Sequence, residues 1–172
     1  APYYSGARVV FYNTAQYATA GVEVPTDLDG YVDNAGKLAA ALPGVSGVWY
    51  PGQDWYNALP FIWENGGEVA VQGDDGTWDA QFSSPESLTG LAQVQQLMAS
   101  STAPKDGDET NLWVPFREQQ AATISAPSWA YWSIVADEDQ APTALTDTLG
   151  YFALPGKDGG AAQVFAGGSN IA

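Results

Sequence analysis

The chain has no cysteine and no histidine. The first absence removes thiol nucleophiles, thiolate zinc sites and any disulfide framework. The second removes the Ser-His-Asp arrangement, imidazole general-base chemistry and histidine-ligated metal. An enzyme built from these residues would have to run on carboxylates, Lys, Tyr or Ser. Basic residues are scarce as well: five Lys and Arg stand against twenty Asp and Glu, for a formal net charge of −15. A surface of that sign repels phosphate backbones and anionic lipid, which argues against nucleic acid and electrostatic membrane binding. No apolar run approaches the roughly 20 residues of a membrane span. The Gly-rich pieces lack the phosphate-loop pattern. Asp106-Gly107-Asp108-Glu109 lacks the spacing and terminal Glu of an EF-hand and reads as a solvated loop. No cofactor and no metal are expected.

What remains is ample for one folded unit. A chain of 172 residues suits a single domain and buries roughly 70% of its unfolded surface. Strand-like runs fall at 8–12, 45–49, 121–125, 150–154 and 163–166. A hairpin is expected over 68–71 and 77–80, turning at Gly73-Asp74-Asp75-Gly76. Helical spacing marks about 15–20, 28–42, 54–65, 112–119 and 127–135. The helix over 86–99 has the firmest start, with a Ser cap and Pro85 in its first turn. An acidic loop covers 137–142. Strands separated by helices predict α/β layers around a mixed sheet.

Aromatics are the conspicuous surplus: seven Trp, nine Tyr and six Phe. Many stand beside turns, as Tyr3-Tyr4, Trp49-Tyr50, Trp55-Tyr56, Trp113 with Phe116, and Trp129-Ala130-Tyr131-Trp132. Core filling accounts for any one of them. Aromatics just after strands and at helix starts also line the clefts where α/β sheets take ligands. A sugar ring presents an apolar C–H face and a rim of hydroxyls. A Trp face supplies flat apolar area at little entropic cost, and its indole N–H donates. Asp54, Arg8 and Asn170 are candidate hydroxyl partners, each also explicable as a cap, an ion pair or a turn residue. Asp54 and Glu64 share one predicted helix about 15 Å apart, too far for a glycosidase carboxylate pair.

Several segments in order carry a resemblance: Val9-Val10-Phe11-Tyr12-Asn13-Thr14, Leu59-Pro60-Phe61-Ile62 with Asn65-Gly66-Gly67, Phe82-Ser83-Ser84-Pro85-Glu86, Ala122-Thr123-Ile124-Ser125 with Pro127-Ser128-Trp129, and Phe165-Ala166-Gly167-Gly168-Ser169-Asn170. The chain resembles the extracellular solute-binding proteins that feed sugars to ABC importers, the maltose-binding-protein-like family. The resemblance implies an α/β lobe of the periplasmic-binding-protein-like type II fold, the second of two. Residues 1–172 would be that single lobe, cut at both ends by design, with hinge crossings near 3–12 and 167–172. It implies that Tyr56 and Trp129 stack on sugar, with Trp132 nearby. It places Asp54 where a carboxylate bonds hydroxyls, and Gly168 and Ser169 at the cleft edge. Trp55, Tyr4 and Arg8 join the ligand-binding set by position rather than by transfer.

The function implied is non-enzymatic. The lobe would bind a mono- or oligosaccharide and hand it to the membrane subunits of a permease, outside the cell or in the periplasm, on a lipoprotein or a free protein. The isolated lobe would be monomeric and would bind weakly. The rival readings are a carboxylate-driven glycoside hydrolase and a free-standing carbohydrate-binding module.

Overall fold

The computed structural model describes residues 1–136 and 145–171, and the predicted acidic loop at 137–142 lies outside the described residues. The strands are β1 (Pro2–Asn13), β2 (Ala70–Gln72), β3 (Trp78–Ala80), β4 (Thr123–Pro127), β5 (Leu149–Phe152) and β6 (Ala166–Asn170). The helices are α1 (Thr14–Ala20), α2 (Leu28–Ala41), α3 (Trp55–Glu64), α4 (Pro85–Ala99), α5 (Trp113–Arg117) and α6 (Ala130–Val135).

One long strand organises the sheet. The second half of β1 lies between β4 and β5, from Arg8 opposite Pro127 to Asn13 opposite Leu149. Its first half pairs with β6, Tyr4 opposite Ser169 and Gly6 opposite Gly167. All these pairings are antiparallel. The parallel component is a single bridge between Ser46 and Ala121. Neighbouring residues of β1 point to opposite faces. Val10 enters one core with Tyr31, Phe61 and Leu97, and Phe11 enters another with Phe116, Ile124 and Ile134. The sheet is thus covered on both sides, as an α/β lobe requires. Helix α2 supplies one cover through Leu28, Tyr31, Val32, Ala35 and Leu38, the stripe that the helical spacing predicts.

Three expectations are corrected. The run at 45–49 forms no strand. Gly47 lies flush on α2, where an added Cβ would stand 1.8 Å from the Ala35 carbonyl oxygen. Its N–H turns to the Ser100 carbonyl at 2.9 Å, so the pairing with the β4 side is reduced to the Ser46 bridge and one bond from Trp49 to the Thr123 carbonyl. The strand expected at 163–166 instead begins at Ala166 and runs to Asn170. Ala-Gly-Gly-Ser-Asn has little intrinsic strand preference, and the edge of β1 supplies the partner. Gly168 is needed there, since a Cβ would meet the Tyr4 carbonyl oxygen at 2.5 Å. Last, the helix expected over 127–135 starts only at Ala130, because Pro127 still belongs to the ladder opposite Arg8.

Candidate functional site

A cleft of about 170 Å³ opens where the two halves of β1 meet. Tyr4, Gly6, Ala7 and Arg8 form one wall, Gly167 and Gly168 of β6 a second, and Tyr56, Phe165, Pro127, Trp129 and Glu109 complete it. The β1–β6 ladder and its glycines bring the strand backbones close enough to form the floor. A second depression of about 210 Å³, lined by Trp113 and Asn111 among others, shares Glu109, Pro127 and Trp129 with the first.

Helix α3 positions Tyr56. Its N-cap is Asp54, whose carboxylate accepts the Asn57 N–H at 3.2 Å. Trp55 stacks on Tyr56 with ring centroids 3.7 Å apart, and Phe165 meets Tyr56 edge-on at 4.7 Å. The Arg8 guanidinium lies 5.1 Å from the Tyr56 centroid, within cation–π range. Tyr56 is therefore the middle of a stack that the protein builds for itself. Two exposed aromatics line the cleft, Tyr4 on β1 and Trp129, which is half exposed and meets Trp113 at a steep angle with ring centroids 5.6 Å apart.

Arg8 is the charge at the centre, and it is 7% exposed. One guanidinium nitrogen donates to the Ser125 carbonyl at 3.1 Å, another pairs with the Glu109 carboxylate, and Nε finds no acceptor among the described residues. Beneath it runs a buried polar chain. Asn57 donates from Nδ2 to Asp54 at 2.6 Å and to the Ser125 carbonyl at 3.0 Å, and it accepts from the Ser125 hydroxyl at 2.6 Å. Both Asp54 oxygens are thus engaged by Asn57. Burial pushes the Asp54 carboxyl up to about 6, against the opposing pull of Arg8 and the Asn57 hydrogen bonds, with the Glu109 charge adding to the rise. Burial, helped by the Asp54 charge, also pushes the Tyr50 phenol far up; Tyr50 donates to the Asp54 backbone carbonyl at 3.2 Å.

The Asp54 shift has a measurable consequence. The folded chain holds this proton more tightly than an unfolded chain with a carboxyl near 3.8. Stability from this group therefore rises as pH falls from about 6 towards 4, and is lost as pH rises through 6. A shift of about two units corresponds to at most ~3 kcal/mol. Asp54→Asn should flatten that part of the melting-temperature profile between pH 4 and 7. A variant profile parallel to the wild type would contradict the assignment.

The structure brings Tyr4, Arg8, Tyr56, Trp129 and Gly168 together around one cleft. It does not bring the rest of the expected set to it. Asp54 and Trp55 line a separate, largely apolar cavity of about 620 Å³ with Ile62, Phe82, Val94 and Met98. Ser169 pairs opposite Tyr4 without lining the cleft. Trp132 is 71% exposed and lies edge-on to Tyr131, outside it. Glu64 accepts the backbone N–H groups of Lys157 and Gln163 at 3.0 and 2.7 Å, and so holds a turn. Glu109 was not legible in advance. It sits in a loop of polar residues and meets Arg8 from 101 positions away, with no local signal to announce it.

Comparison with known proteins follows the same lines. A family model described as bacterial extracellular solute-binding protein matches residues 1–172. The diacetylchitobiose binding protein DasA of Streptomyces coelicolor is 28% identical over 176 residues, which take in 100% of this chain and 40% of the relative. Maltose-bound MalE3 of T. maritima superposes with a TM-score of 0.76 at 22% identity, covering 97% of this chain and 43% of that one. The GacH receptor of Streptomyces glaucescens, solved unliganded and with acarbose, gives 0.73 at 21% identity over 97% and 42%. A ribitol complex of a solute-binding protein from Agrobacterium radiobacter K84 gives 0.74 at 24% over 97% and 42%. These likenesses carry the fold, the periplasmic-binding-protein-like α/β architecture. The chain spans 40% of the length of the curated relative.

Proposed function

Because the chain belongs to the bacterial extracellular solute-binding protein family, we propose that it is the second lobe of a two-lobed carbohydrate receptor serving an ABC importer. Its cleft would hold one side of an uncharged sugar. The observation that carries this is the half-exposed Trp129 ring standing over a cleft whose fixed cation, Arg8, is already paired. A sugar's C–H face packs on the ring, and its hydroxyls find the Glu109 carboxylate and the strand backbones at the floor. The antiparallel β1–β6 pair supports reading the segments near 3–12 and 167–172 as the two crossings to the other lobe. Hinge closure of the lobes on the sugar would then be the state that the permease membrane subunits sense. Diacetylchitobiose and maltose, in the names of similar proteins, point to a mono- or oligosaccharide ligand and to a receptor on the extracellular or periplasmic side. A lipid anchor on the intact protein and a monomeric lobe belong to the same proposal.

Among the described residues, the carboxylates at and near the cleft are already engaged, which supports a binding reading. Both oxygens of Asp54 are taken by Asn57, Glu109 is held by Arg8, and Glu64 serves a turn. Titration calorimetry with neutral mono- and oligosaccharides on the longer protein tests the reading. Saturating heats for at least one sugar are expected, and a flat response across such a panel overturns it.

A further inference from the structure

Glu109 has a role that neither the family match nor the sugar reading assigns. It lines the cleft, and its carboxylate pairs with a guanidinium whose side chain is only 5% exposed. The Arg8 side chain is held from three sides: by the Ser125 carbonyl, by the Tyr56 ring and by Glu109. Its Nε–H nonetheless has no acceptor among the described residues. A guanidinium in the wall of a ligand cleft is the usual receptor for a planar or tetrahedral anion, through whichever of its nitrogens face the cleft. Here both terminal nitrogens are taken from within the chain, one by the Ser125 carbonyl and one by the Glu109 carboxylate. With Asp54 also ionised, the group of Arg8, Glu109 and Asp54 carries one positive and two negative charges, a net of −1.

We infer that Glu109 is a specificity-determining residue: by occupying the Arg8 fork it closes the cleft to anionic ligands and leaves it to neutral ones. A sugar carboxylate or sulfate would have to displace Glu109 from a partly buried pair and enter a site of its own sign. A neutral sugar meets neither barrier, and the second Glu109 oxygen is left to accept a hydroxyl. Taking the charge from Glu109 brings the group to a net of zero and leaves at most a weaker, neutral acceptor on a nitrogen that is already fixed in place, one that sulfate can displace. The inference rests on this cleft being the ligand site.

The test uses inorganic sulfate, with chloride at matched ionic strength as reference. It follows the Nε–H signal of Arg8 in nitrogen-15 spectra at pH 7. The chain holds only two arginines, Arg8 and Arg117, so the signal is resolvable. In Glu109→Gln the Arg8 signal should move saturably with sulfate, with apparent affinity about tenfold or more above that of the wild type, as an unmasked charge-assisted bond predicts. Should Glu109→Gln fold poorly, Glu109→Ala gives the same readout. A well-folded variant whose Arg8 signal responds no more than the wild type overturns the inference. So does failure of both variants to fold, which would make Glu109 a folding residue. No sugar enters this titration, so its outcome is separate from that of the calorimetry: a flat sugar panel with a sulfate gain in Glu109→Gln would sink the sugar reading alone.

Discussion

Trp129→Ala should weaken sugar binding by the longer protein about 10- to 100-fold. The ring is an open aromatic face of the cleft, and its removal takes away one flat apolar wall. Losing the burial of such a face together with its ring-specific attraction costs roughly 1.4–2.8 kcal/mol, which is that range of affinity. Stability should change little, because half of the side chain is in solvent and its ring partner, Trp113, is itself only partly buried. Trp132→Ala is the matched control. That ring is more exposed, stands on the same helical segment and does not line the cleft, so affinity should stay within about twofold of the wild type. Equal losses from the two variants would place the platform elsewhere.

Arg8→Ala should act on the fold as well as on the site. Removing the guanidinium leaves the Glu109 carboxylate without its partner and takes one of two donors from the Ser125 carbonyl, next to the buried Asp54. Breaking a fully buried pair from one side costs about 3–5 kcal/mol. Glu109 keeps 30% of its side chain in solvent, so roughly 2–4 kcal/mol is the expected loss. At about 2–4 °C per kcal/mol for a chain of this size, the melting temperature should fall by something like 4–16 °C. The Asp54 carboxyl should also rise further, because Arg8 is the largest influence holding it down. A variant that melts with the wild type and keeps its pH profile would show that the buried polar chain does not depend on Arg8.

The elements that came through from sequence are those whose signal is local. Helix α2 is written in its apolar spacing, and α4 in Ser84 and Pro85, which occupy the cap and the first turn. The hairpin of β2 and β3 follows from Asp75-Gly76, with Gly76 at a positive φ of 81°. The failures are non-local. Val45-Ser46-Gly47-Val48-Trp49 has strand composition, and Gly47 instead lies against a helix backbone. Ala166 to Asn170 has loop composition, and β1 makes it a strand.

The site divides the same way. Tyr56 and Trp129 were reached through an ordered resemblance and fall in one cleft. Trp132, three residues from Trp129, falls outside it, since residues so close in sequence share a neighbourhood and not a direction. Asp54 illustrates a second limit. A carboxylate at that position reads equally as a hydroxyl partner or a helix cap, and only the structure shows it capping α3 and bonded to Asn57. The Arg8–Glu109 pair spans the chain, and only the folded arrangement of β1 against the loop before α5 brings it together.

Calorimetry on two molecules side by side, this 172-residue chain and the proposed two-lobed receptor, separates half a receptor from a complete module. On the proposed two-lobed reading, the chain alone makes part of the contacts and gains nothing from closure. The longer protein should therefore bind a neutral sugar at least ~100-fold more tightly than the chain alone, a difference of about 2.8 kcal/mol. Equal affinity in the two would mean that these residues form a complete binding module, and would contradict the reading of the chain as one half of a closing receptor.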